Sequence, residues 1–167
     1  MTPSYHKILA NAATPCQLDK FRTIVLEGGA VPPQSYDATI IQNPLLYFYP
    51  NSEDIQGIAA LKTPHPDYKQ RIFQQAGALD QAVLYPFELG WIVSLPAYRG
   101  QGIGKKLSAI VCEENAVNLF ATSRIDNFAM IKILQDLGFS QLGHSYSSIR
   151  AEYQLSLYVR SGNSTER

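Results

Sequence analysis

Apolar and polar positions alternate along this chain with periods that change from segment to segment. Residues 15–27 (PCQLDKFRTIVLE) place Leu18, Phe21, Ile24 and Val25 at helical spacing, with Leu26 beside them, and Gly28-Gly29 stands where that helix would end. A Pro-rich polar stretch, Val31–Asp37, predicts a loop, followed by a short helix over Ala38–Gln42. Leu45–Tyr49 is aromatic and apolar and reads as a strand, Asn51-Ser52 begins a turn, and Ile55–Lys62 reads as the next strand of a hairpin. Pro64 and Pro66 break the pattern; Tyr68, Ile72, Phe73 and Ala76 then suggest one short amphipathic helix closed by Gly77.

The second half is more regular. Ala82–Leu95 reads as a long β run whose odd positions, from Val83 to Leu95, are all apolar. Its even positions are mixed, so one face is core, unless Gly90 marks a bulge that shifts the phase. Residues 103–116 form a helix because Ile103, Leu107, Ile110 and Val111 fall on one stripe. Asn118–Ala121 is a short strand. Asn127–Leu137 is another helix, with Met130, Ile133, Leu134 and Leu137 on one side and Gly138 at its stop. Phe139–Leu142 and Tyr153–Val159 read as strands joined by a polar loop, and 161–167 (SGNSTER) as a loose, disordered tail. Without repeats or a linker, residues 1–160 read as one domain of α/β (α+β) class built on a mixed sheet.

Composition narrows the setting. At 167 residues and 46% hydrophobic, the chain can bury a core. Its 14 basic and 14 acidic residues balance, and no long basic run exists, which argues against a nucleic-acid partner. Cys16 and Cys112 lack ligand spacing, as do His6, His65 and His144, so neither a disulfide scaffold nor a metal site is expected. No apolar run approaches the roughly 20 residues of a membrane span, and Ile8–Ala13 is too short for a signal peptide. A cytoplasmic protein without membrane partners is the expectation.

The chemistry concentrates in Ser94-Leu-Pro-Ala-Tyr-Arg-Gly-Gln-Gly-Ile-Gly-Lys-Lys, which leads from a strand into a helix. Gly100, Gly102 and Gly104 let the backbone approach a ligand and turn its N–H groups inward. No Ser, Thr, Asp or Asn stands there to cap the helix, and an anion would satisfy its first amides. Lys105 and Lys106 lie in the first turn and Glu113 and Glu114 in the last, the reverse of what the helix dipole favours, at roughly 0.3–1 kcal/mol per residue. A bound polyphosphate would turn that penalty into a gain; a surface helix tolerating poor charges is the plain alternative. A Walker A loop would need Gly at 99 and Ser or Thr at 106, where Arg99 and Lys106 stand. The dinucleotide fingerprint would need Gly at 105, which is Lys.

What remains, Arg99-x-x-Gly102-x-Gly104 within ELGWIVSLPAYRGQGIGKKL, resembles the pyrophosphate-binding signature of the GNAT superfamily of acyl-CoA-dependent N-acetyltransferases. Asn127-x-x-Met130 followed by Leu137-Gly138-Phe139 resembles that family's second motif. The likeness covers about Glu88 to Phe139 and extends toward Val159. It implies a central, mostly antiparallel sheet with flanking helices, acetyl-CoA as co-substrate without a metal, and an amine of a small molecule or protein as acceptor.

By the same resemblance, backbone amides of Gly100, Gln101, Gly102, Ile103, Gly104 and Lys105, behind Arg99, would hold the pyrophosphate. Ile92, Val93 and Ser94 would pair with the pantetheine arm, and the Ser94 amide would polarise the thioester carbonyl. Asn127 would reach the coenzyme arm or cap its helix, and both roles are compatible. Glu88 matches a carboxylate that acts as base in the family, often through water; holding the acceptor ammonium or facing solvent are the alternatives.

The chief departure is Leu134, where the family places a tyrosine general acid; Tyr146 and Tyr153 are substitutes the sequence does not locate. Leu134 also supports a rival class, a CoA-binding sensor or interaction module of the same fold without turnover. An unrelated phosphate-binding α/β domain is a third reading, disfavoured by the paired motifs. Cys112 reads as a buried thiol and Trp91 as core. Residues 63–81 are long for a connection, and Tyr68, Lys69, Arg71 and Phe73 suggest either a lid walling the acceptor or a surface helix. Tyr36, Tyr47 and Tyr49 could line an acceptor pocket or fill the core. Acceptor identity, acyl-chain preference and assembly, a homodimer included, stay open.

Overall fold

The computed structural model describes residues 4–28 and 31–162. Strands and helices follow in the order β1 (His6–Leu9), α1 (Pro15–Glu27), α2 (Pro33–Ile40), β2 (Leu45–Tyr49), β3 (Gly57–Lys62), α3 (Pro66–Gln75), β4 (Phe87–Ser94), α4 (Ile103–Glu114), β5 (Leu119–Arg124), α5 (Phe128–Asp136), β6 (Ser140–Ser147) and β7 (Gln154–Arg160). The strands form one seven-stranded sheet of order β1-β2-β3-β4-β5-β7-β6. The β1–β2, β2–β3, β5–β7 and β6–β7 pairs are antiparallel, and β4–β5 is parallel. The fold is the expected mixed α/β class with a mostly antiparallel sheet.

The chain gathers into two compact units, one of residues up to Thr63 together with Leu89–Val111, the other of Pro64–Glu88 and the chain from Cys112 onward. In the first, Phe21, Ile24 and Val25 of α1, Tyr36 of α2, and Leu46, Phe48, Ile58 and Ala60 of the hairpin bury one core with Trp91. The Trp91 ring stacks on Tyr36 at 4.8 Å and meets Phe21 edge-on at 5.9 Å. Thr14 starts α1 with a capping box: its side chain accepts from Gln17 N–H and the Gln17 side chain accepts from Thr14 N–H. Gly57 fits where it does because a Cβ there would fall 2.6 Å from Ile103 Cγ2 of α4.

In the second unit, Ile72, Phe73 and Ala76 of α3 are buried with Phe120, Tyr146, Leu157 and Val159 of the sheet. Phe73 meets Phe120 edge-on at 5.2 Å and stacks on Tyr85 at 6.1 Å. Arg160, itself buried, donates from Nε to the Leu137 carbonyl at 2.7 Å, satisfying an end of α5.

Several expectations need correction. Helix α2 starts inside the supposed loop, because Pro33 enters as the first helical residue with Pro32 extended before it. β1 was not legible: its four residues alternate between half-buried and exposed at the sheet edge. The β run begins at Phe87, not Ala82; Leu79–Leu84 turns as a 3-10 helix with Val83 and Leu84 exposed. Next to Gly90, Trp91 takes a φ of +52°, the left-handed residue of β4. β5 and β6 run to Arg124 and Ser147, beyond the predicted ends. Gly28 caps α1 in the right-handed region, while Gly29 and the tail from 163 lie outside the described residues. Within residues 63–81, α3 packs into the core of the second unit through Ile72 and Phe73. Replacing Phe73 by Ala is expected to lower the unfolding free energy by about 3–5 kcal/mol, read from a urea melt of the pure protein.

Candidate active site

Strand β4 carries the predicted groups in sequence. Its ladder with β5 covers Phe87↔Leu119 and Glu88↔Phe120, so residues 89–94 lie outside that pairing. At its far end Leu95 N–H donates to Gln56 O at 2.9 Å. The half-buried Ile92, Val93 and Ser94 lie between these points.

Next comes the glycine loop. Gly100 and Gly102 have φ of +80° and +78°, the left-handed region that side chains disfavour. A Cβ on either would meet nothing within 4 Å, so the loop faces open space. Arg99 Nε donates to Ser94 O at 3.4 Å, tying the loop back to β4. Helix α4 follows with no acidic residue in its first turn. Ile103, Leu107, Ile110 and Val111 are all buried, as their spacing predicts, while Gln101 and Lys105 are exposed and Gly104 is half-buried. Lys106 stands over the Tyr49 ring, its Nζ donating to Tyr49 Oη at 3.1 Å. Tyr36 and Tyr47 are core residues. A loop of outward backbone, two left-handed glycines and a helix start with cations fits a polyphosphate such as that of coenzyme A.

In the second unit, Glu88 is 3% exposed, the one buried carboxylate among the described residues. Tyr68 Oη donates to Glu88 Oε2 at 3.0 Å. Burial, then the Glu88 charge, pushes the Tyr68 hydroxyl well above its usual range. Tyr146 is 7% exposed, and its hydroxyl has no hydrogen-bond partner among the described residues. Burial first, and Glu88 second, raise it as well, against a smaller lowering by Arg71. Sequence reasoning placed Glu88 but missed Tyr68 as its partner, since the two stand twenty residues apart on different elements. Lys69 donates to Tyr85 O, and Arg71 lies over the Tyr68 ring, so neither reads simply as an acceptor wall.

The other predicted residues resolve plainly. Asn127 caps α5, its Oδ1 accepting from Met130 N–H at 3.1 Å. Leu134 is fully buried. Tyr153 lies under the Arg124 guanidinium, 4.4 Å from ring centroid to cation. Cys112 is buried, and that burial lifts its thiol to about 11. Among the described residues no cluster of His, Cys, Asp and Glu could hold a metal, and no helix is long and apolar enough to cross a membrane. A cavity of about 360 Å³ is lined by Leu18, Arg22, Ile40 and Tyr36, the last a candidate acceptor-pocket residue, but by neither Glu88 nor any residue of the glycine loop.

No protein-family model and no curated protein matches the sequence. Solved structures do match in fold. An acyl-CoA N-acyltransferase from Pseudomonas aeruginosa superposes with a TM-score of 0.68 at 14% identity, covering 96% of this chain and 100% of that one. FeeM, an N-acyl amino acid synthase from uncultured soil microbes, gives 0.70 at 14% identity over 98% and 93%. A GNAT family acetyltransferase from Elizabethkingia anophelis with acetyl-CoA bound gives 0.62 at 15% identity over 96% and 99%. The chain has the GNAT fold.

The Tyr146 hydroxyl generates a stability prediction. An unfolded tyrosine ionises near 10, and the folded one only at higher pH, so the contribution is intact below pH 10 and is lost as pH rises beyond it. Tyr146→Phe is expected to be at least as stable as the parent at pH 7, since it deletes a buried hydroxyl without a partner. Above pH 10 it should lose less stability, read by thermal melts across pH 7–11.

Proposed function

On the premise of a GNAT fold, we propose that this chain is an acyl-CoA-dependent N-acyltransferase, acetyl transfer being the first case to test. The observation that carries the reading is the loop at Gly100 and Gly102, open where side chains would stand and leading into a helix whose first turn has cations and no acid. Backbone amides from Gly100 to Lys105 would hold the pyrophosphate. Ile92, Val93 and Ser94, outside the β5 ladder, would hold the arm by main-chain hydrogen bonds, and Asn127 would add a contact while still capping α5.

Bound acetyl-CoA supplies an activated acyl group as a thioester. The chain's own task is to orient that carbonyl, for which the Ser94 amide is the proposed donor, and to deprotonate the acceptor. An amine near pKa 10 is protonated at neutral pH, and the buried Glu88 carboxylate is the proposed acceptor of its proton, directly or through water. The acceptor is an amine of a small molecule or a protein.

Leu134 requires a different account of the leaving group. Tyr146 is a poor proton donor: a thiol has a pKa of about 8.5, and even an ordinary tyrosine near 10 would give up its proton uphill. Burial raises Tyr146 further. Its hydroxyl is therefore a hydrogen-bond donor, and solvent reprotonates the thiolate. The buried Leu134 also favours the second reading, a chain that binds CoA without turnover.

The test is thiol release from acetyl-CoA across an amine panel, with calorimetry of coenzyme binding. Turnover supports the enzyme, binding without turnover on any amine supports the sensor, and no binding rejects both. Gly102→Val is expected to weaken coenzyme binding at least tenfold, since it strains a left-handed position and fills the open space. Glu88→Gln is expected to lower kcat by roughly 10²-fold or more while leaving coenzyme affinity unchanged.

A further inference from the structure

The Glu88 site includes a hydrogen bond that the glycine-loop motif does not encode. Two elements contribute to it: Tyr68 from α3 and Glu88 from β4. A buried carboxylate is costly unless hydrogen bonds stabilise its charge. Here Tyr68 donates to Oε2 at 3.0 Å. Because the phenol is held well above its usual range, it keeps its proton throughout the neutral region and donates in one direction only. α3 cannot drift, because Ile72 and Phe73 hold it in the core.

We propose that Tyr68 is the positioning residue that keeps the Glu88 carboxylate oriented for its work on the acceptor amine. The proton-removing role rests on the acyl-transfer reading above; the hydrogen bond does not. A bond donated to the charged form of an acid favours that form, so its loss moves the carboxyl titration upward. Tyr146 of β6, whose hydroxyl is uncharged at neutral pH, also feels the Glu88 charge, and Arg71 of α3 stands over the Tyr68 ring. Tyr68→Phe alters neither of these side chains.

The experiment has two arms. Carbon-detected NMR titration of the Glu88 carboxyl, assigned by its absence in Glu88→Gln, reads the bond without any turnover. In Tyr68→Phe the midpoint is expected to rise. An unmoved midpoint in Tyr68→Phe overturns the proposal. In the kinetic arm, Tyr68→Phe should lower kcat roughly tenfold, leave KM for acetyl-CoA within about twofold, and move the acid limb of kcat/KM to higher pH. A lowered melting temperature with the acid limb unmoved would leave Tyr68 merely structural and also overturn it. A raised carboxyl midpoint in a parent protein that turns over no amine would remove the acyl-transfer reading, and with it the catalytic purpose, while the hydrogen bond itself stands.

Discussion

Strand β4 must leave its neighbour. Up to Glu88 it pairs with β5, and after Glu88 that ladder ends. A strand inside a sheet ordinarily satisfies its peptide groups on both sides, so a departure has to be held by something stronger than strand pairing. Here the holding force is aromatic. Trp91 is in the left-handed region, a conformation costing of order 1–3 kcal/mol for a bulky residue, yet its ring is locked between Tyr36 and Phe21. Lys62, with Nζ 5.0 Å from the ring centroid, adds a cation to the same stack. Burial of three aromatic rings outweighs the backbone strain.

The two kinds of chemistry on β4 follow from that geometry. Before the departure, the strand is paired with β5, and Glu88 is buried there. After it, the main chain has peptide groups outside the β5 ladder and runs on into the glycine loop. Arg99 then bonds back to Ser94 O, so the loop is tethered to the strand it leaves.

Much of this was legible in the chain. Leu45–Tyr49 coincides with β2, and the stripe Ile103, Leu107, Ile110, Val111 is the buried face of α4, because both periods are strong and uninterrupted. Val83, Leu84 and Tyr85 misled because β propensity describes a half-buried pleat, and these residues turn with Val83 in solvent. β1 is too short and too polar to announce itself beside a strand it meets forty residues later. The left-handed turns of the glycine loop are readable as local geometry. The Tyr68–Glu88 bond is not, since no period or spacing links a tyrosine and a glutamate on two elements. Asn127 shows the reverse case: its capping bond is local and could be read, whereas a longer-range role is not encoded in the helix start.

The close packing of β3 against α4 bears on how a ligand would associate. Since Gly57 has no side chain, Ile103 and Leu107 settle directly onto the strand, and the first helical turn is anchored by its own core residues. Backbone ordering costs about 1–2 kcal/mol per residue, so an anchored helix start leaves only the short glycine stretch to lose freedom on capture of an anion. In the proposed coenzyme site, such a loop would work as a socket with a short glycine lip. Its selectivity would then be set by the rigid wall behind the lip, and exchange of one bound nucleotide for another would proceed without remodelling the helix.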